Sequence, residues 1–273
     1  MIGLNAAAGF GVGILVGMTG VGGGSLMAPI MILLFGIAPT TAVGTDLWFA
    51  AITKSFGGFI HHRQGGVDSQ VLKRLCLGSL PAAVITLLVL NYTGHTQVKN
   101  GLIIHMLGAV LMMTAIATLF RQRFVDWSRS YQRETGHSSI NLQAPLTIAA
   151  GVALGVLVTL TSVGAGALGV TMILCLYPLR MNAKRLVATD IVHAIPLTMI
   201  AGLGYALMGA HAEMVPGHVT IGNVDVTLLR DLLIGSIPGI ILGSLLAGRV
   251  PEGALRVTLA AVLAVVGGRM LFG

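Results

Sequence analysis

The feature that most constrains this chain is a series of apolar blocks that carry almost no charge. Six blocks are long enough for a transmembrane helix, which needs roughly 20 apolar residues to cross about 30 Å of hydrocarbon. They cover residues 42–60, 71–91, 99–120, 186–208, 228–247 and 253–272. Only 9% of the residues are charged and the mean hydropathy is +0.91, whereas a soluble domain carries about 25% charged residues. The pattern predicts an all-α integral membrane protein.

Two further apolar stretches, 3–37 and 145–178, are too long for one ordinary helix and are interrupted by glycine. The interruptions are Gly20-Val21-Gly22-Gly23-Gly24 and Gly164-Ala165-Gly166. Each flanking piece has about 12 to 17 residues and spans roughly 18 to 25 Å at 1.5 Å per residue. The shortness of these pieces favours a re-entrant helical hairpin in each broken stretch. The alternative is a hairpin whose two pieces both cross the membrane.

Matching residues recur in the same order along the chain, which indicates an internal duplication. Four of them recur 144 positions later: Gly20, Gly22, Thr45 and Asp46 as Gly164, Gly166, Thr189 and Asp190. Two segments recur 157 positions later: Gly65 to Asp68 as Gly222 to Asp225, and Gly78 to Pro81 as Gly235 to Pro238. We divide the chain into a first membrane repeat (1–120), a cytoplasmic polar linker (121–143) and a second membrane repeat (144–273).

The distribution of basic residues favours an inverted arrangement of the two repeats. If each repeat has a re-entrant hairpin and three transmembrane helices, twelve loop residues fall on one side: Arg63, Lys73, Arg74, Arg121, Arg123, Arg129, Arg133, Arg180, Lys184, Arg185, Arg249 and Arg256. Three fall on the other: Lys99, Arg230 and Arg269. Cytoplasmic loops are enriched in Lys and Arg, so we expect the second repeat to be inverted and both termini to lie outside.

The glycine breaks mark a candidate binding site for an anion. Non-helical backbone at membrane depth is tolerated only where it is buried in protein or lines a cavity, and a half-helix that follows the break presents free N–H groups and the positive end of its dipole. The alternative is that these glycines only allow close helix packing. The candidate substrate-binding residues are Thr19, Gly20, Gly22, Gly23, Gly24, Ser25, Thr45, Lys54, Ser162, Gly164, Gly166 and Thr189.

Four ionisable residues inside apolar blocks are further candidates, since such residues are costly in a membrane and are functional by default. Asp46 and Asp190 either carry a coupled proton or anchor the hairpins by accepting backbone N–H bonds. His193 follows Asp190 by three residues, so a relay between them competes with a packing role. Lys54 is either the counter-charge of an anion or a side chain that snorkels to the interface.

Other polar residues are interpreted as structural. Asp68 and Asp225 precede helices and are expected to be N-caps. His105 stands alone and is expected to be a satisfied packing residue. Cys76 and Cys175 have no spacing typical of a disulfide framework or a metal site. The net charge is +7, but because no polar domain carries a basic stripe, we expect no nucleic-acid partner.

The sequence resembles the sulfite exporter TauE/SafE family over essentially its whole length. The resemblance rests on Gly17-Met18-Thr19-Gly20-Val21-Gly22-Gly23-Gly24-Ser25 with Pro29 and Gly44-Thr45-Asp46, and on the second copy, Thr161 to Gly166 with Ala188-Thr189-Asp190. The second copy departs from the glycine-rich run at Ala167 and Leu168, which puts equal ligand contact from both hairpins in doubt.

The resemblance implies a permease of the bacterial inner membrane that moves sulfite, an organosulfonate or a related sulfur oxyanion. We therefore expect a non-enzymatic secondary transporter with a small anionic substrate and the lipid bilayer as partners, and with no cofactor and no bound metal. The oligomeric state stays open between a monomer and a homodimer. The alternative function is that of a membrane-embedded accessory protein or enzyme that handles metal or sulfur species.

Overall fold

The computed structural model describes residues 2–19, 24–63, 66–92, 96–135, 138–178, 180–181, 183–208, 217–246 and 251–272. The chain forms an all-α integral membrane protein. Its helices are α1 (Ile2–Thr19), α2 (Gly24–Phe35), α3 (Pro39–Arg63), α4 (Ser69–Tyr92), α5 (Thr96–Leu119), α6 (Arg121–Thr135), α7 (Ser138–Thr161), α8 (Ala167–Leu176), α9 (Ala183–Leu207), α10 (Val226–Leu246) and α11 (Glu252–Phe272). Two short antiparallel strands, β1 (Thr220–Ile221) and β2 (Val224–Asp225), precede α10.

Among the described residues, six helices are long and apolar enough to cross a membrane. Their apolar spans are Ser69–Tyr92, Gly101–Leu119, Gln143–Thr161, Arg185–Leu207, Val226–Leu246 and Gly253–Phe272. Five of these spans coincide with predicted blocks, and the remaining predicted block, 42–60, lies within α3, which has 25 residues. Large apolar side chains such as Leu77, Leu245 and Phe272 are exposed, as expected for helices whose outer surface faces lipid.

The sixth span lies in α7, where the expectation from sequence was wrong. We expected pieces of about 12 to 17 residues on each side of a glycine break, but α7 has 24 residues. At 1.5 Å per residue α7 is about 36 Å long, which is enough to cross a bilayer. The expectation counted from the apolar residues near 145, whereas the helix starts earlier, at Ser138, within the polar linker. The following helix α8, with 10 residues, is indeed short.

The first helix of each repeat packs against a helix of the other repeat. α1 packs along α10, where a Cβ atom placed on Gly9 or Gly17 would meet the backbone of Leu232 or Ile240. In the same way α7 packs along α4 of the first repeat, with Gly151 and Gly155 against Leu75 and Ser79. Position numbers rise together in both pairs, so each pair is parallel. Small residues at these contacts let the helix backbones approach closely, as is common in membranes.

The corresponding helices α3 and α9 pack side by side and run antiparallel. Gly44 contacts Tyr205, and Gly202 contacts Trp48, so the numbers fall in α9 as they rise in α3. An inverted duplication requires opposite directions for corresponding helices. These two helices bring Asp46, Lys54, Asp190 and His193 to the interior of the protein.

The linker is partly helical. It contains α6, which ends before the described start of α7 at Ser138. The hydroxyl of Ser128 donates a hydrogen bond to the carbonyl oxygen of Cys175 near the end of α8, so α6 is held against the second broken stretch. Cys76 and Cys175 are both free thiols.

Candidate anion site at the second helix break

The chain between α7 and α8 leaves the helical conformation in a short buried turn. Ser162 has φ +59°, Gly164 +119° and Gly166 +139°. Within the described ranges Ser162 is the one non-glycine residue with a positive φ. A β-carbon is strongly disfavoured at the φ values of the two glycines. The local sequence therefore breaks the helix because glycine stands where the backbone must turn.

Thr161 stabilises the start of this turn. Its hydroxyl donates to the carbonyl oxygen of Leu157 at 2.6 Å and accepts the N–H of Val163 at 3.1 Å. Val163 and Ala165 are both buried. The turn thus lies inside the protein with its backbone groups facing other elements, as non-helical backbone at membrane depth must.

The side chain of Lys54 reaches this turn from α3. Its ammonium nitrogen donates a hydrogen bond to the carbonyl oxygen of Ala165 at 2.6 Å, and the residue is only 6% exposed. The contact joins the first repeat to the break of the second. Snorkelling to the interface, one of the two interpretations of Lys54, is therefore wrong for this conformation, because the ammonium points into the protein.

Asp46 lies on one side of the same region and is fully buried. One carboxylate oxygen, Oδ2, accepts the backbone N–H of Ala28 in α2 at 3.3 Å. This bond is of the kind expected if Asp46 anchors the first hairpin. The hydroxyl of Ser162 also lies beside the Asp46 carboxylate, although the contact does not meet hydrogen-bond geometry, since Asp46 Oδ1 and Ser162 Oγ have no partner.

Asp190 occupies the corresponding position in α9. Its Oδ1 lies where a β-carbon on Gly169 would be, so the carboxylate rests against the backbone of the first turns of α8. This close approach explains a glycine at position 169. Gly169 itself donates its N–H to the carbonyl oxygen of Gly164 at 2.9 Å, which places the Asp190 carboxylate next to the helix break.

His193 is held by a residue that the sequence analysis did not single out. Its Nε2 lies 2.8 Å from the hydroxyl oxygen of Ser79 in α4, and both residues are buried. No local pattern in the sequence indicates this pair, because Ser79 and His193 belong to different repeats and meet only through the packing of α4 on α9. His105, by contrast, is exposed and bonds the carbonyl oxygen of Gly101 in its own helix; it is satisfied, but it is not a buried packing residue.

Charged groups converge on the break. The positive charge of Lys54 interacts electrostatically with Asp190 and Asp46. It also interacts electrostatically with His193. Four buried atoms in this group have no hydrogen-bond partner in the protein: Asp46 Oδ1, Asp190 Oδ1, Ser162 Oγ and His193 Nδ1. The N-terminus of α8 has no side-chain cap. Buried polar groups without partners are uncommon and call for a functional explanation such as a bound ion or water.

Thr45 and Thr189, both predicted to bind substrate, form hydrogen bonds to backbone groups of the other repeat. The hydroxyl of Thr45 accepts the backbone N–H of Asp225, and that of Thr189 accepts the N–H of Asp68, each at 3.0 Å. The two threonines thus connect the repeats. Contact of either hydroxyl with a substrate stays a prediction.

The aspartates at these two junctions cap helices, as predicted from the sequence. Asp68 Oδ1 accepts the N–H of Gln70 at 3.1 Å and of Val71 at 3.2 Å, and Asp225 Oδ1 accepts the N–H of Leu228 at 2.9 Å. Asp68 also forms an ion pair with Arg180 at 3.0 Å, and Oδ2 of Asp225 lies 2.5 Å from Nδ1 of His218.

The predicted site residues of the first break are only partly described. Gly20, Gly22 and Gly23 lie outside the described residues, while Thr19 ends α1 and Gly24 and Ser25 begin α2. The second break is described fully, and it brings together Ser162, Gly164 and Gly166 with Lys54, Asp46, Asp190 and His193. Within the described ranges, no group of three or more His, Cys, Asp or Glu side chains is arranged to hold a metal ion.

These features define a class of protein: a multi-pass membrane transporter with discontinuous helices. A bundle of apolar helices, a short helix that follows a buried break and a charged cluster at that break are typical of secondary transporters. The model of the family described as sulfite exporter TauE/SafE matches residues 5–270, so the chain belongs to that family.

Curated relatives agree with this assignment. The chain is 38% identical over 261 residues to the probable membrane transporter protein YjnA of Bacillus subtilis (strain 168), covering 95% of this chain and 96% of that protein. It is 27% identical to the probable membrane transporter proteins YdhB of Bacillus subtilis (strain 168), covering 96% of this chain and 97% of that one, and MJ0441 of Methanocaldococcus jannaschii, covering 96% and 92%. No solved structure gives a significant match to the chain.

Proposed function

We propose that the protein is a secondary transporter of a small anion, a sulfur oxyanion such as sulfite or an organosulfonate, and that it works by alternating access across the bacterial inner membrane. One observation supports an anion site above all others: the Lys54 ammonium and the uncapped N-terminus of α8 lie at the same buried turn. The choice of sulfur oxyanions is supported by the description of the family.

The electrostatics of the site favour an anion only under a condition. The ammonium and the N-terminal end of α8 attract negative charge, and both act more strongly in a buried site than in water. Asp46 and Asp190 oppose them, because two ionised carboxylates beside one ammonium leave a net negative charge. An anion therefore requires that at least one carboxylate carry a proton or be neutralised by hydrogen bonds. This requirement supports a proton-linked cycle.

The inverted arrangement of the repeats is part of the proposal. It is supported by the antiparallel packing of α3 on α9 and by the bonds that connect the start of α10 to Thr45 and the start of α4 to Thr189. Thr45 is near the beginning of α3, whereas α4 follows the end of α3, so α4 and α10 begin at opposite ends of that helix. By the positive-inside rule, the end of α3 that lies next to the start of α4 faces the cytoplasm.

A transport assay in proteoliposomes tests the substrate. Purified protein is reconstituted, and uptake of sulfite, a sulfonate, sulfate and chloride is measured with and without a proton gradient. We expect sulfite or the sulfonate to be carried in preference to chloride. Lys54→Met should weaken uptake more at low substrate than at saturation, since it removes part of the binding energy, whereas the exposed Lys73→Met is the matched control. Transport of another solute and of no sulfur oxyanion would refute the substrate class.

Cysteine labelling tests the topology. Single cysteines are introduced at Ser69, Ser130, Asn182 and Gly217 in a variant without Cys76 and Cys175, and intact cells are treated with a membrane-impermeant thiol reagent. We expect only the Gly217 site to react from outside. Labelling at Asn182 would contradict the inverted arrangement. Reaction of all four sites after permeabilisation is the control for accessibility.

A further inference from the structure

The surroundings of the Lys54 ammonium have the composition of a binding site for a small cation. The ammonium donates to one main-chain carbonyl, that of Ala165, at 2.6 Å. Two carboxylates, those of Asp190 and Asp46, are its electrostatic partners. The ion pairs of the described residues do not include Lys54, so the ammonium interacts with both carboxylates without forming a close ion pair with either.

The oxygen atoms of this group are buried and short of partners. Lys54 is 6% exposed, Ser162 4%, Asp190 2% and Asp46 0%. Asp46 Oδ1, Asp190 Oδ1 and Ser162 Oγ have no hydrogen-bond partner in the protein, and the Ser162 hydroxyl lies beside Asp46. A main-chain carbonyl, two carboxylates and a hydroxyl all offer oxygen atoms, and carbonyl oxygens at broken helices bind sodium in other transporters. The atom that occupies this oxygen-rich region is a nitrogen that carries the same charge as such an ion.

Only one of the two repeats supplies this charge. The position that corresponds to Lys54 in α9 is Thr198 (54 plus 144), whose hydroxyl donates to the carbonyl oxygen of Ala194 in its own helix at 2.8 Å. Both carboxylates, in contrast, are present in duplicate. One covalently attached ammonium therefore acts on two carboxylates. Without the lysine, the same carboxylates would need protons, hydrogen bonds or a cation from solution.

We propose that the Lys54 ammonium is a built-in substitute for a free monovalent cation, and that removing it exposes a binding site for methylammonium or sodium formed by Ala165, Asp46, Asp190 and Ser162. The inference rests on the proposed function only in so far as both place the site at the second helix break. It implies that the native protein needs no sodium to bind its substrate, because the positive charge that balances the two carboxylates is already attached to the protein.

A thermal-stability titration of the purified full-length protein in detergent tests the inference without a transport assay. Methylammonium chloride and sodium chloride are titrated into wild type and Lys54→Ala, with choline chloride to keep the ionic strength constant. Anything that binds only the folded state raises its midpoint. We expect a saturable rise in Lys54→Ala, with an apparent affinity at least about tenfold higher than any seen for wild type, which corresponds to about 1.4 kcal/mol.

Three variants separate a specific site from a general salt effect. Lys54→Met fills the space of the lysine stem without a charge, so we expect a much smaller rise than in Lys54→Ala. The double variant Lys54→Ala/Asp190→Asn removes one ligand charge and should bind methylammonium at least about tenfold more weakly, the equivalent of about 1.4 kcal/mol. Lys73→Ala, at an exposed lysine of α4, should behave as wild type. If Lys54→Ala does not fold, Lys54→Thr, which introduces the residue found at position 198, takes its place.

An equal rise in wild type and Lys54→Ala, or a rise that Asp190→Asn leaves unchanged, would overturn the inference. These outcomes are independent of the substrate. A protein that carries sulfite but shows no cation binding in Lys54→Ala contradicts this inference alone. Cation binding in a protein that carries no sulfur oxyanion contradicts the substrate class alone.

Discussion

The two repeats share their buried carboxylates and the residues that connect them, but they differ at the basic side chains near the second break. Thr45 and Thr189 make the same bond to an N-terminal aspartate of the other repeat. Around them the chemistry diverges: Lys54 of the first repeat corresponds to Thr198, and His193 of the second corresponds to Phe49 (49 plus 144). A duplicated backbone thus supports one site with two unlike sides. Under the proposed alternating-access function, the shared scaffold would serve the conformational exchange, and the unlike side chains would serve binding of the substrate.

The largest effect is expected from a variant that disrupts the turn at the second break. Gly166→Val places a β-branched side chain at φ +139°, in a region that such residues scarcely adopt and where strain costs about 1 to 3 kcal/mol. We expect inserted protein whose sulfite uptake falls to background. Gly11→Val, in the open face of α1 where nothing lies near an added β-carbon, is the control. Full uptake in Gly166→Val would mean that Gly166 serves packing only. Gly22→Val repeats the test at the first break.

The next test moves the cation from one repeat to the other. Lys54→Thr removes the buried ammonium, whose charge-assisted interaction with a bound anion is expected to be worth about 1.5 to 3 kcal/mol, so we expect the uptake at low substrate to fall about tenfold or more. The double variant Lys54→Thr/Thr198→Lys places the ammonium in α9. It should not restore uptake, because the Ala165 carbonyl that binds Lys54 lies at the second break. Restoration to wild-type uptake would show that the site is symmetric after all.

A smaller effect is expected when the duplicated carboxylates are neutralised one at a time. If they carry protons, Asp46→Asn and Asp190→Asn should each flatten the pH dependence of uptake, because an amide cannot release a proton. The amide oxygen introduced by Asp46→Asn can still accept the N–H of Ala28, so this variant separates the proton role from the anchoring role. Uptake is measured in proteoliposomes across a range of pH. An unaltered pH profile in both variants would exclude the proton role and leave the anchoring role.

The sequence was sufficient to predict five of the six candidate membrane spans, the second helix break and the N-caps at Asp68 and Asp225, because apolar length, glycine and capping act locally. It was not sufficient for contacts between distant elements. The bond between Ser79 and His193 and the carbonyl of Ala165 as the partner of Lys54 depend on how α3, α4 and α9 pack. The length of α7 was also missed, because its first turn is polar and resembles a linker.

The smallest expected effect tests the part of the molecule in which the repeats agree. Thr45→Val and Thr189→Val each leave a buried backbone N–H, of Asp225 or Asp68, without its acceptor. The loss of one such bond costs about 1 kcal/mol, and Val preserves the shape of the side chain. Thr114→Val is the control, since its buried hydroxyl bonds only the carbonyl oxygen of Val110 in its own helix. We expect both junction variants to lower the thermal midpoint in detergent by similar amounts and by more than the control. Asp68 also binds Arg180, and Asp225 binds His218. Unequal losses would show that these two contacts stabilise their junctions by different amounts. The scaffold itself would then be asymmetric.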